Sequence, residues 1–166
     1  MRNAMKKVIG ILLVITISFG ISPGISAAES KDVVSTLSLF KVTVNAAGKE
    51  QLAAADKVAP GDVVEYQLVF TNQGKAGIKN LQPVLPVPQG MEYLAKTAKP
   101  VKLYASIDPD GKVFQEVPLK RQVKKADGTT VTVEVPCTEY RFLRWNSGDL
   151  AAGGKVTLSA RMRVLK

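Results

Sequence analysis

The chain has 166 residues, with no histidine, one cysteine and a formal net charge of +9 at neutral pH. Without histidine it lacks Ser-His-Asp and Cys-His catalytic sites, His-ligated zinc and the side chain that ordinarily titrates near neutral pH. A single cysteine excludes an internal disulfide, and the length fits one domain.

The N-terminus has the three parts of a secretory signal peptide. A basic start at residues 1–7 precedes an apolar run at 8–21 and the small residues Ser26-Ala27-Ala28. We predict a signal peptide at 1–28, cleaved after Ala28, and a mature chain that is exported to the periplasm or the cell exterior. The alternative is an uncleaved anchor, but a run of about 14 residues is shorter than the roughly 20 of a membrane-spanning helix.

The predicted mature chain, 29–166, has 20 basic and 14 acidic residues and thus a net charge of +6. This length can bury a core in a single domain. The charge favours weak attraction to lipid headgroups or envelope polymers, or it keeps an ordinary surface soluble. Since the cleavage site has no cysteine and the C-terminus no apolar tail, we expect no stable membrane anchor after cleavage.

Short segments of alternating apolar and polar residues dominate the mature chain. The alternation is cleanest in three of them, where Tyr66, Val133 and Leu158 each belong to the apolar face. This period of two is typical of strands with one buried face. In chain order the predicted strands are 33–44, 63–72, 78–84, 91–94, 101–107, 113–117, 130–135, 140–145 and 155–164.

Turn residues separate these segments. Pro60-Gly61 and Asn72-Gln73-Gly74 flank the second strand, and residues 45–50 are predicted to be a loop or hairpin after the first. Asp110-Gly111 and Asp127-Gly128 predict tight hairpins, because glycine accepts a positive φ. About nine short strands without a helical period predict an all-β, antiparallel β-sandwich.

Three motifs occur in one order. Residues 58–74 combine a Pro-Gly-Asp turn, a strand with an inward Tyr66, and a Thr-Asn-x-Gly turn. Residues 85–93 contain a Pro-x-Gly turn before an aromatic strand, and 144–154 contain Trp145, a leucine and a Gly pair. This order resembles the bacterial conserved-repeat domain of secreted and surface proteins. The resemblance implies an exported immunoglobulin-like β-sandwich, in a family without a shared activity.

Trp145 needs no family to explain it, because a large aromatic side chain commonly fills the space between two sheets. Cys137 is either a reactive thiol or a small apolar filler, and we favour the filler. Asp108 and Asp110 have the spacing of two calcium ligands. A full calcium loop needs further acidic ligands, so we favour a turn.

The densest run of positive charge contains Lys120, Arg121, Lys124 and Lys125. These residues are the candidate contacts to an anionic surface. The alternative, which we favour, is an edge strand whose lysines prevent aggregation. The aromatic and glycine residues typical of a nucleic-acid platform are missing here, so we expect no nucleic-acid partner.

These features predict a non-catalytic extracytoplasmic structural or interaction module, whose partner is a protein or an envelope polymer. Loops or an exposed strand edge would provide the affinity. The alternative is a cationic envelope- or carbohydrate-binding protein. We expect no enzyme activity and no cofactor or metal, although paired carboxylates or lysine bases could serve an enzyme without histidine. The oligomeric state is left open.

Overall fold

The structure is a computed structural model that describes residues 32–166, so the predicted signal peptide at 1–28 lies outside the described residues. The described chain contains β-strands and one short 3-10 helix, and every pairing between named strands is antiparallel. The predicted all-β antiparallel class is therefore confirmed. Within 32–166, no helix has the length and apolar character needed to cross a membrane.

The strands of residues 32–166 follow in chain order. They are β1 Val33–Val44, β2 Glu50–Ala54, β3 Val63–Asn72, β4 Ile78–Leu81, β5 Val84–Pro86, β6 Met91–Tyr93, β7 Tyr104–Ser106, β8 Gln115–Glu116, β9 Lys120–Lys124, β10 Thr130–Glu134, β11 Phe142–Arg144, β12 Gly148–Leu150 and β13 Lys155–Val164. The 3-10 helix, Cys137–Glu139, lies between β10 and β11.

The larger sheet has five strands in the order β2-β1-β3-β13-β6. β3 pairs with β1 on one side and with β13 on the other, so that Leu68 lies opposite both Leu37 and Leu158. The predicted apolar face of β3 is confirmed. The residues of that face, Val64, Tyr66, Leu68 and Phe70, are all buried.

A second sheet has four strands in the order β5-β11-β7-β8. Its buried face contains Leu143 of β11 with Leu85 and Ala105 directly beside it. These residues and the buried face of β3 belong to one hydrophobic cluster. Trp145 lies in that cluster at 1% exposure, as predicted, and its Nε1 donates to the carbonyl oxygen of Pro100 at 3.3 Å.

One predicted strand, 78–84, is divided between two sheets. β4 pairs with β12, whereas β5 pairs with β11. Asn80 has a positive φ of 52°, and Pro83 has no N–H to donate to a sheet, so the chain cannot continue as one strand. Two other strands, β2 and β12, were not predicted, whereas the edge strand favoured for the cationic run is present as β9.

The two Asp-Gly turns differ. Asp127-Gly128 closes the tight hairpin between β9 and β10, as predicted, with Gly128 at φ 85°. Asp110-Gly111 also lies in a hairpin, between β7 and β8, but the hairpin is not tight as predicted, because its loop runs from 107 to 114. A Cβ on Gly111 would lie 3.1 Å from the Phe142 ring, so this loop packs closely against β11.

Candidate functional site

The predicted cationic run lies in a two-stranded ribbon, defined here as β9, β10 and their turn, residues 120–134. In the described chain these strands pair only with each other. Every ribbon residue is exposed except Val131, which is half-buried. Leu119 and Val135 form the buried base, where the Val135 N–H donates to the Leu119 carbonyl at 2.8 Å. The ribbon therefore stands out from the core.

The antiparallel register separates the four predicted cations. Lys120 and Lys124 share one face of the ribbon, and Arg121 lies on the opposite face with Val123. Lys125 is in the turn, where its backbone N–H donates to the Thr129 carbonyl at 2.8 Å. The structure thus brings Lys120 and Lys124 to one face and does not form a single patch of four charges.

Arg121 is not free to bind an external anion. Its two terminal nitrogens donate to the two carboxylate oxygens of Glu139, at 2.6 and 3.0 Å. This bidentate pair connects the ribbon to the 3-10 helix. Within residues 32–166, Lys120, Lys124 and Lys125 form no such ion pair.

A second feature is the open edge of β1, defined as residues 33–39. β2 covers only the second part of β1, from Phe40 to Val44. On that side, no strand of the described chain pairs with the open edge. Its sequence, Val-Val-Ser-Thr-Leu-Ser-Leu, has no charge and no proline. Charged residues and proline usually protect natural edge strands from pairing with another chain. Because this edge has neither, it is open to strand addition.

The other edges of the described sheets are shorter or charged. β6 has three residues and β8 has two. β9 has five, of which three are cationic. A strand edge was predicted as a source of affinity only in general terms. The open edge of β1 was not identified, because it depends on where the unpredicted β2 ends, at Ala54 opposite Phe40.

A third feature is a group that we call the Arg144 cluster: Arg144 and Tyr104 on the four-stranded sheet and Phe114 in the loop before β8. The Arg144 Cζ atom lies 4.1 Å from the centre of the Phe114 ring and 5.7 Å from that of Tyr104. Burial lowers the pKa of the guanidinium from its ordinary value. The sequence contained one signal for this cluster, because Arg144 stands between two apolar residues, Leu143 and Trp145. Both are buried, so the Arg144 side chain faces the opposite side of the strand.

One further charged group lies on the five-stranded sheet, but it is internally satisfied. Arg161 Nε donates to Glu65 at 2.9 Å, and its Nη1 lies 2.9 Å from Glu50. Burial alone would raise the pKa of Glu65. Hydrogen bonds from Gln67 and Arg161 outweigh that effect and lower it. This network stabilises the sheet surface and does not present a free acid for catalysis.

The structure also locates the remaining sequence candidates, Cys137 and Asp108. Cys137 is half-buried against the core, and burial raises the pKa of its thiol. Asp108 accepts backbone hydrogen bonds from Asp110 and Lys112, at 3.1 and 2.8 Å, as a turn residue does. Across residues 32–166, no group of three or more Cys, Asp or Glu side chains could hold a metal ion.

Comparison of the chain with protein-family models, with curated proteins and with solved structures finds no match. The resemblance to the conserved-repeat domain therefore stays a prediction. The surfaces themselves are the basis for any functional proposal.

Proposed function

We propose that this chain is an exported, non-catalytic interaction module that binds an extended segment of a partner polypeptide at the open edge of β1. The observation that carries the proposal is the uncharged run of residues 33–39, which pairs with the buried strand β3 on one side and with no strand of the described chain on the other. Strand addition supplies affinity through backbone hydrogen bonds, and alternate side chains supply specificity.

An immunoglobulin-like β-sandwich is part of the proposal. It is supported by the five-stranded and four-stranded antiparallel sheets, whose buried faces contribute to one cluster. It is also supported by the order of the three motifs, which resembles that of the conserved-repeat domain. In such a fold the edges and end loops are the surfaces open to partners.

The open edge fits a partner strand better than a second folded copy. A stable protein–protein interface takes roughly 20–30 residues from each side, and this edge offers about a third of that. Val34 is 41% exposed and Leu39 is 37% exposed, and they lie on opposite faces of β1. Because the edge has no charge, we expect an uncharged partner segment with apolar side chains at alternate positions.

The second candidate function is binding to an anionic envelope polymer through the ribbon. It is favoured by Lys120, Lys124 and Lys125, which are exposed and form no ion pair within the described chain. Such binding would weaken as salt screens the charges.

Co-sedimentation of the exported protein with isolated envelopes of the producing organism, over a salt series, tests both candidates. Thr36 and Thr157 lie on either side of Val69 in one row of the sheet, and both are exposed. Thr36→Lys places a charge on the open edge, whereas Thr157→Lys places the same charge on β13, a strand with a partner on both sides. We expect binding that resists salt, is lost in Thr36→Lys and is retained in Thr157→Lys.

Salt-sensitive binding would instead support the ribbon. It should then fall when Lys120, Lys124 and Lys125 are changed together to Gln. It should persist when the exposed Lys49, Lys57 and Lys75 are changed in the same way, with an equal loss of charge. Binding unaffected by Thr36→Lys would overturn the edge proposal. So would a wild-type dimer that Thr36→Lys converts to a monomer, because the edge would then pair two copies.

A further inference from the structure

The Arg144 cluster lies on the outer face of the four-stranded sheet, and its position follows from strand alternation. Leu143 is fully buried on the inner face, so Phe142 and Arg144 point outward. The register places Arg144 directly beside Tyr104 of β7 and Val84 of β5. All of these outward residues are half-buried, and the surface around the guanidinium is therefore mainly apolar.

The aromatic rings hold the guanidinium in place. At 4.1 Å from the Phe114 ring centre it is in stacking contact, and it also lies over the Tyr104 ring. Cation–π attraction of this kind fixes a flexible side chain without using its N–H donors. The donors of a planar fork remain available for two parallel hydrogen bonds to one carboxylate.

No acidic side chain of residues 32–166 pairs with Arg144. The ion pairs of the described chain involve other cations, and no hydrogen bond from the Arg144 side chain is present there. Glu116 is in the same row, opposite Tyr104, but it is exposed and beyond ion-pair distance. A partly desolvated cation without a counter-ion has an unfavourable free energy, and pairing with an external anion would offset it.

The charge and shape of the cluster select the anion. One guanidinium balances the single charge of a carboxylate, whereas a phosphate monoester carries about −1.5 to −2 charges at neutral pH. Tyr104 and Val84 lie beside Arg144 in the register, and both are half-buried. Such a surface suits the apolar face of a ring, with the one polar contact fixing its orientation.

We propose that the outer face of the four-stranded sheet binds a carboxylate-bearing sugar ring, as in an acidic polysaccharide, with Arg144 forming the ion pair to the carboxylate. The sugar ring packs against the apolar surface that Tyr104 and Val84 form beside Arg144. The site is independent of the open edge of β1, because the two surfaces belong to different sheets.

The test is a titration of the full exported protein with a galacturonate trimer, followed by amide and arginine Nε–H NMR signals. A galactose trimer is the neutral ligand control. We expect the galacturonate trimer to shift the Arg144 Nε–H signal and the galactose trimer to bind at least tenfold more weakly. Arg144→Gln should lower the galacturonate affinity at least tenfold. Arg141→Gln, which removes an exposed cation three residues away, should change it less than twofold.

Arg144→Lys keeps the charge but loses the planar fork, so we expect a loss of affinity here too. This variant also serves if Arg144→Gln fails to fold. Glu116→Gln should leave the affinity unchanged or raise it. Equal binding of the two trimers, unchanged affinity in both Arg144 variants, or no binding by the wild-type protein would each overturn the proposal.

Discussion

Asn72 shows how one buried polar side chain can organise several loops. It is fully buried at the end of β3. Its side-chain nitrogen donates to the carbonyl oxygens of Ala76, Leu150 and Ala151, at 2.8, 3.2 and 3.0 Å, and its side-chain oxygen accepts the Gly74 N–H at 3.0 Å. One amide therefore satisfies backbone groups from the loop after β3, from the last residue of β12 and from the loop before β13.

We expect Asn72→Ala to lower the free energy of unfolding by about 2–4 kcal/mol, because each buried backbone group left unsatisfied costs about 1–3 kcal/mol. The measurement is denaturant unfolding. Ser147→Ala is the matched control, since the Ser147 Oγ is buried and has no hydrogen-bond partner in the described chain. That variant should be neutral or stabilising. A loss below about 0.5 kcal/mol for Asn72→Ala would contradict this role.

The sequence predicted part of this arrangement. The Asn72-Gln73-Gly74 turn was expected, and the hydrogen bond from Gly74 to Asn72 agrees with it. The contacts to Leu150 and Ala151 were not, because they join residues 78 and 79 positions apart. No local pattern contains information at that separation.

At the level of elements, the ribbon and the strands beneath it differ in what they contribute. No residue from 120 to 134 belongs to the hydrophobic cluster, whereas Leu119 and Val135 at its base both do. The Leu119 N–H also donates to the buried Tyr140 hydroxyl at 3.0 Å. The ribbon is thus attached to the core by its base and does not form part of it.

We expect replacement of residues 121–133 by an Asn-Gly turn to change Tm by less than about 5 °C, because surface elements outside the core contribute little to stability. Leu119→Ala, at the base, should instead cost about 2–5 kcal/mol. Thermal unfolding of both variants checks the contrast. A large drop in Tm for the ribbon deletion would show that the ribbon supports the core.

Strand prediction succeeded where packing and propensity agree. β1 and β3 were predicted to the residue, since both contain many β-branched residues and β3 also alternates strictly. β2 was missed because its sequence, Glu-Gln-Leu-Ala-Ala, has none, and the strand exists only through pairing with β1. The Arg144 cluster was missed because it needs β7, β11 and the loop before β8 to be placed side by side.

At the scale of the whole molecule, the acids respond together to pH. Hydrogen bonds lower the pKa of several carboxyls, including Asp62, which accepts from Lys41 and Ala59. The pKa of Glu65 is lowered despite the burial of its carboxyl, as described above. Hydrogen bonds lower the pKa in the same way for three other carboxyls, those of Asp108, Asp127 and Asp149. A carboxyl with a lowered folded pKa stabilises the fold above its unfolded pKa, and this stabilisation is lost as the pH falls.

We therefore expect Tm to be nearly constant from pH 7 to pH 5.5 and to fall progressively below about pH 4.5. Acidification also adds positive charge to a chain that already has a net charge of +9. Thermal unfolding at pH 7, 5.5, 4 and 3 is the measurement. Glu65→Gln should make the acid-induced decrease shallower. A Tm that is the same at pH 3 and pH 7 would contradict this expectation.

The central position of β3 has a mechanical consequence. β1 and β13 both run antiparallel to it, so they are parallel to each other, and Val33 and Val164 lie at opposite ends of the sheet. Ten residues of β3 separate those ends by roughly 30 Å. A tensile force applied between them would load both ladders in shear, so their hydrogen bonds would have to break together rather than one at a time. Copies linked end to end would form an extended chain that resists pulling.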